Sequence, residues 1–120
     1  MTLITLKIEL TPQDINDILC TAIEGGINYW CSHYDTNCIL ADIKTQYTYE
    51  IVAHGGYITL YDDYDLDGLQ LTKTKLMQGI QQWIDSQTFK PGDAFDIGNI
   101  DAGDADCIVQ YALFGRLVYC

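Results

Sequence analysis

Positive charge and long apolar stretches are what this chain has least of. Six Lys and Arg face seventeen Asp and Glu among 120 residues, a formal net charge of −11. A surface of that sign repels nucleic-acid phosphates and anionic membranes, and it attracts cations and basic protein faces. No run approaches the roughly 20 apolar residues that a helix needs to cross a bilayer. The segment Met1 to Leu10 alternates polar and apolar residues and lacks the basic and continuous apolar regions of a secretion signal, so the expected location is the cytosol. There is no low-complexity tract and no internal repeat. Also missing are G-x-S-x-G, H-E-x-x-H, G-x-x-x-x-G-K and any C-x₂-C knuckle, which removes the commonest hydrolase, metalloprotease, nucleotidase and zinc-ribbon readings.

What is present is a folding composition. Hydrophobic residues make up 48% of the chain and charged residues 19%. A chain of this length suits one compact domain that buries roughly two thirds of its unfolded surface. The five cysteines (Cys20, Cys31, Cys38, Cys107 and Cys120) leave one over in any disulfide scheme, and without an export signal thiols are the default.

The hydrophobic pattern predicts the elements. Residues 2–10 alternate as a strand, with Ile4, Leu6, Ile8 and Leu10 on one face. Thr11-Pro12-Gln13-Asp14 opens a helix, Ile15, Ile18, Leu19, Ala22 and Ile23 form its apolar face, and Gly25-Gly26 closes it as a left-handed cap. Ile27 to Cys31 fits an extended segment or a short turn. Thr45 to Ala53 reads as a strand, His54-Gly55-Gly56 as a hairpin turn and Tyr57 to Tyr61 as the returning strand, followed by an acidic loop to Gly68. A second helix runs from Thr72 to Asp85 with Leu76, Met77, Ile80, Trp83 and Ile84 inward. After a Pro- and Gly-bearing loop, Asp101 caps a third helix with Asp104, Ala105, Ile108, Val109, Ala112 and Leu113 face the core, and Gly115 ends it. Leu117 to Tyr119 reads as a terminal edge strand. The irregular order of strands and helices predicts an α+β domain: an antiparallel sheet with about three helices on one face.

Several residue groups carry chemistry. Asp63, Asp65 and Asp67, followed by Gly68, match the first half of a calcium loop, where alternate carboxylates converge on one cation. The second half fails, because Thr74 stands where a bidentate Glu is needed; the competing reading is a solvated acidic turn, and no cofactor other than calcium is indicated. Cys31, His33, Cys38 and His54 offer zinc-type donors at a spacing that fits no established site. Asp93, Asp96, Asp101, Asp104 and Asp106 form an acidic group that would hold a cation or face a basic partner, and Asp101, Asp104 and Asp106 would raise the thiol pKa of Cys107. Nine Tyr and two Trp supply rigid contact surface, with Tyr29, Trp30, Tyr34, Tyr57, Tyr61 and Tyr64 interleaved with Asp and Asn.

Ala22-Ile23-Glu24-Gly25-Gly26-Ile27-Asn28-Tyr29-Trp30, together with the segment from Ile100 to Tyr119 that contains Asp101-Ala102-Gly103-Asp104-Ala105-Asp106-Cys107 and Gln110-Tyr111-Ala112-Leu113-Phe114-Gly115-Arg116, resembles a group of small uncharacterised proteins encoded by phages and prophages. The resemblance implies a phage context, in which small acidic proteins act as counter-defence factors that block a host nuclease or sequester a signalling nucleotide. Three functions follow as expectations. The first is a non-enzymatic inhibitor that occludes a basic, nucleic-acid-handling surface of a host protein with an acidic, Tyr-rich face. The second is a trap for a signalling nucleotide, with Asn28 reading a base and Arg116 joining Lys44, Lys73 or Lys75 in a positive pocket, within one chain or across a homo-oligomer interface. The third is an enzyme using a metal held by the aspartates. The contact residues expected for the first two are Asn28, Tyr29, Trp30, Tyr61, Asp62, Tyr64, Asp104, Asp106 and Arg116.

Overall fold

The computed structural model describes residues 10–35, 50–62, 68–86 and 100–119. Helix α1 spans Pro12–Thr21 and runs into a π-helical turn, Ala22–Gly26. Strand β1 (Cys31–Asp35), the short helix α2 (Glu50–Ala53), β2 (Tyr57–Asp62), β3 (Leu69–Thr72), α3 (Lys73–Ser86) and α4 (Ala102–Phe114) follow. The three strands form an antiparallel sheet in the order β1-β2-β3. Ile58, Leu60 and Leu71 lie buried from the sheet, with Val52, Ile15, Ile18, Leu19, Leu76, Ile80, Ile108 and Val109 from the helices completing one core. The chain is thus an α+β domain of the expected class. The strand expected over 2–10 lies outside the described residues except for Leu10, and so does the loop before Ile100.

Both acidic helix starts form as the spacing dictates. Thr11 Oγ1 accepts from Asp14 N at 3.1 Å while Asp14 Oδ2 accepts from Thr11 N at 2.9 Å. Asp101 and Asp104 repeat the exchange at 2.8 and 3.2 Å. Each reciprocal pair satisfies two backbone donors that a helix end leaves open. Gly115 ends α4 in the left-handed conformation, φ 72°, where a Cβ would be strained.

Several expectations change. Residues 50–53 of the expected strand are helical, and His54-Gly55-Gly56 is the end of that helix, not a hairpin turn. Gly55 (φ 96°) donates to Val52 O at 3.1 Å and Gly56 donates to Ile51 O at 2.9 Å, the paired bonds of a Schellman cap. The glycine pair suits either role, and burial of Val52 and Ala53 against the core decides between them. The partners of β2 are therefore β1 and β3, and the acidic segment after Asp62 joins β2 to a further strand before α3 begins. Second, Gly25 and Gly26 are not a left-handed cap. The helix widens, Ile27 N donating to Ala22 O at 2.9 Å, and only Gly55, Gly68 and Gly115 have positive φ among the described residues. A Cβ on Gly26 would lie 2.5 Å from the carbonyl oxygen of Ala102, so this glycine is required for contact with α4. Third, Met77 is exposed instead of inward, and Leu117 to Tyr119 is not a strand but an irregular segment following α4.

Candidate functional site

The turn after the π-helical widening delivers two aromatic side chains to α4. Trp30 N donates to Ile27 O at 3.1 Å and Cys31 N to the same oxygen at 2.8 Å, a tight reversal that leaves Tyr29 and Trp30 on the side of α4. On α4, Asp106 and Gln110 stand four residues apart and so share a face. Gln110 Nε2 donates to Asp106 Oδ1 at 2.9 Å, Trp30 Nε1 donates to the same oxygen at 2.7 Å, and Tyr29 Oη donates to Oδ2 at 2.6 Å. The Asp106 carboxylate, 8% exposed, thus receives three neutral donors. Charge-assisted bonds of this length are the strong kind, and they offset the desolvation of a buried anion.

Gln110 is fully buried and extends the network outward. Its Oε1 accepts from Val118 N and Tyr119 N, both at 2.8 Å, and its Nε2 also donates to Tyr119 O at 3.1 Å and more weakly to Tyr29 Oη at 3.4 Å. Tyr119 lies flat on Trp30, centroids 5.3 Å apart at 4°, and Phe114 meets both rings at a steep angle. Trp30 is consequently only 2% exposed, whereas the Tyr29 ring is 52% exposed. The Tyr29 hydroxyl is pushed up to about 12 by loss of solvent, then by its bond to Asp106 and that residue's charge, with Gln110 acting the other way. Beside it is a notch of about 340 Å³ lined by Gly25, Gly26, Tyr29, Ala102, Gly103 and Asp106. Its floor carries few side-chain atoms, and chain neighbours of its lining are Glu24, Asp101 and Asp104. Partial burial, and then the charge of Asp101, raise the Asp104 carboxyl, although its backbone bond opposes this. Burial first, then Asp106, Asp104 and Asp101, raise the Cys107 thiol, the direction expected from its acidic neighbours.

A second cleft, about 410 Å³, is lined by Ile23, Ile27, Asn28, Cys31, Ser32, His33 and Tyr34. His33 stacks on Tyr61 at 4.3 Å and 8°. Ser32 Oγ donates to Tyr61 O at 3.2 Å and also lies 3.2 Å from His33 Nδ1. Loss of solvent, then Asp35's charge and hydrogen bond, raise the Tyr61 hydroxyl. A third concavity of about 460 Å³ lies between α3 and the end of α4, among glutamines 78, 81 and 82 and Tyr111. Among the described residues no Lys or Arg lines any of the three, and Lys73, Lys75 and Arg116 are exposed.

Of the expected contact residues, Tyr29, Trp30 and Asp106 meet directly, with Asp104 two residues before Asp106 on α4 and so on another face of the helix. Trp30 and Asp106 are interior, so only Tyr29 of these three offers a broad outer surface. Asn28 and Tyr61 belong to the region of the second cleft, and Asp62 ends β2 opposite Cys31. Tyr64 and the calcium-loop residues Asp63, Asp65 and Asp67 lie outside the described residues, as do Cys38 and Lys44. Among the described residues no group of three or more His, Cys, Asp or Glu is placed to hold a metal ion. The residue that the sequence reading missed is Gln110. Its signal was a polar side chain next to the apolar Ile108 and Val109, at helical spacing from Asp106. Among the described residues no helix is long and apolar enough to cross a membrane. Neither a family model, nor a curated protein, nor a solved structure matches the chain.

Proposed function

We propose that this chain is a non-enzymatic binding protein that occludes a basic surface of a host protein, as a phage counter-defence inhibitor in the host cytosol. The observation that carries this reading is Tyr29, whose ring is half exposed while its hydroxyl is anchored on the buried Asp106 carboxylate. An anchored aromatic loses little freedom on binding, which makes it an efficient contact residue. Its exposed face suits a Lys or Arg through a cation–π contact, and Glu24, Asp101 and Asp104 in the neighbouring turns add attraction of the same sign. The notch beside Tyr29 gives the stem of such a side chain room to enter. A nucleic-acid-handling protein presents cations where phosphates belong, and an acidic face competes for them. The phage context itself rests on the resemblance of the 22–30 and 100–119 segments.

The test is titration of the protein against an arginine-rich peptide and against basic nucleases, at low and high salt. Affinity should fall steeply with salt, and Tyr29→Ala should weaken it by about thirtyfold, the roughly 2 kcal/mol at which an aromatic contact counts as a hot spot. Binding that ignores both salt and Tyr29→Ala refutes the reading. A second reading, a nucleotide trap, draws on the 410 Å³ cleft, since its size and its Asn28, Ser32 and His33 lining suit a small polar ring. It ranks below the first because among the described residues no cation lines the cleft to meet a phosphate. Thermal stabilisation by any member of a nucleotide panel would reverse that order.

A further inference from the structure

Residues 117–119 are held in a way that suits a ligand. One side-chain amide, that of Gln110, bonds both the N–H and the C=O of Tyr119 and also takes the N–H of Val118. These bonds read backbone alone and would serve any extended peptide, much as an added strand is read by a sheet edge. Selectivity enters through one feature, the slot in which the Tyr119 ring lies flat on Trp30 and edge-on to Phe114. The rest of the segment is outward: Leu117 is 49% exposed and Val118 44%. Gly115 precedes it with φ 72°, and among the described residues no atom lies within 4 Å of the place a Cβ would take, so the chain leaves α4 through a sterically open joint.

We infer that the Gln110–Trp30–Phe114 groove is a peptide-binding site, for an extended segment with an aromatic residue in the place of Tyr119, and that residues 117–119 occupy it reversibly as the chain's own ligand. Gln110 is built for this use. It is 0% exposed, and Asp106 Oδ1, which accepts from its Nε2, holds the amide in orientation so that Oε1 faces the two backbone donors. A peptide from another protein competes with the covalently attached segment, so its apparent affinity is reduced by the fraction of time the groove is self-occupied. Opening also removes the ring that covers Trp30 and one acceptor from Gln110, whose amide also approaches the hydroxyl of Tyr29.

The test uses the 120-residue chain with Tyr119→Ala, which empties the slot. N-acetyl-Leu-Val-Tyr-amide is titrated by calorimetry or by NMR shifts of the Trp30 indole N–H, beside N-acetyl-Leu-Val-Ala-amide. The tyrosine peptide should bind the variant at least about tenfold more tightly than the alanine peptide, and more tightly than it binds the unsubstituted protein. A folded variant that binds neither peptide, or both equally, overturns the inference. A second measurement needs no substitution. In the unsubstituted protein the amides of Val118 and Tyr119 should exchange with solvent faster than that of Val109, with little dependence on denaturant, which reports local opening. Exchange of all three only through global unfolding would show that the segment never leaves, and would overturn the inference whatever the variant does.

Discussion

Replacing Asp106 probes the network from its centre. The carboxylate accepts from Trp30 Nε1 at 2.7 Å, Gln110 Nε2 at 2.9 Å and Tyr29 Oη at 2.6 Å. In Asp106→Ala, Gln110 keeps Tyr119 O as an acceptor and Tyr29, half exposed, reaches water. The indole N–H of Trp30 has no such recourse at 2% exposure, and an unsatisfied buried donor costs about 1–3 kcal/mol. Adding the lost charge-assisted bond between Gln110 and Asp106 brings the expected destabilisation to about 3 kcal/mol. Removing a desolvated anion works the other way, but the buried Trp30 N–H is left with nothing to accept from it, so the loss dominates. Asp106→Asn keeps an oxygen for Trp30 and Gln110 and turns its amide toward Tyr29 Oη, which can accept once its own proton turns to solvent. That change converts charged bonds to neutral ones and should cost about 1 kcal/mol. Urea unfolding followed by tryptophan fluorescence measures both, and the double variant with Trp30→Phe should show a coupling of about 1–2 kcal/mol, because each change alone already removes the shared bond. Equal losses for Ala and Asn, or a loss below about 0.5 kcal/mol for Ala, would refute the role assigned to the carboxylate.

Other outcomes follow from single contacts. Gly79→Ala gains about 1 kcal/mol of helix propensity, yet its Cβ would lie 2.5 Å from Ile108 O and 2.7 Å from Ala112 N, backbone atoms that cannot swing aside; overpacking should win by about 1–2 kcal/mol net, read as a lowered Tm. Tyr29 keeps its proton in the folded state to about pH 12 against the ordinary 10.0, so the folded chain binds the proton more strongly and stability falls as pH rises through that window. Because the ring is half exposed, solvent screening reduces the expected loss to about 1 kcal/mol, and Tyr29→Phe should abolish this part of the alkaline decline in urea titrations. The raised Cys107 thiol should react with iodoacetamide more slowly than a free cysteine at neutral pH, by mass-mapped alkylation; a faster reaction would contradict its burial among three carboxylates.

Local chemistry alone dictated much of this molecule. The reciprocal caps at Thr11–Asp14 and Asp101–Asp104, the apolar faces of α1 and α4, the left-handed stop at Gly115 and the α+β class depend on residues within one or two turns of each other, so they are legible in the chain. The glycine pairs were not, because their roles depend on what lies opposite. Gly25-Gly26 reads as a cap until α4 approaches within contact of a missing Cβ, and Gly55-Gly56 reads as a hairpin until buried Val52 and Ala53 make the preceding residues a helix. In the same way, Asp106 belongs with the other carboxylates of its segment when viewed along the chain. Only the fold, by bringing residues 76 and 77 positions away against it, turned it from a surface charge into the buried acceptor of Tyr29 and Trp30. Contacts over that separation leave no periodicity or spacing to read, and the side chain that ties them to the 117–119 segment, Gln110, was the least conspicuous of all.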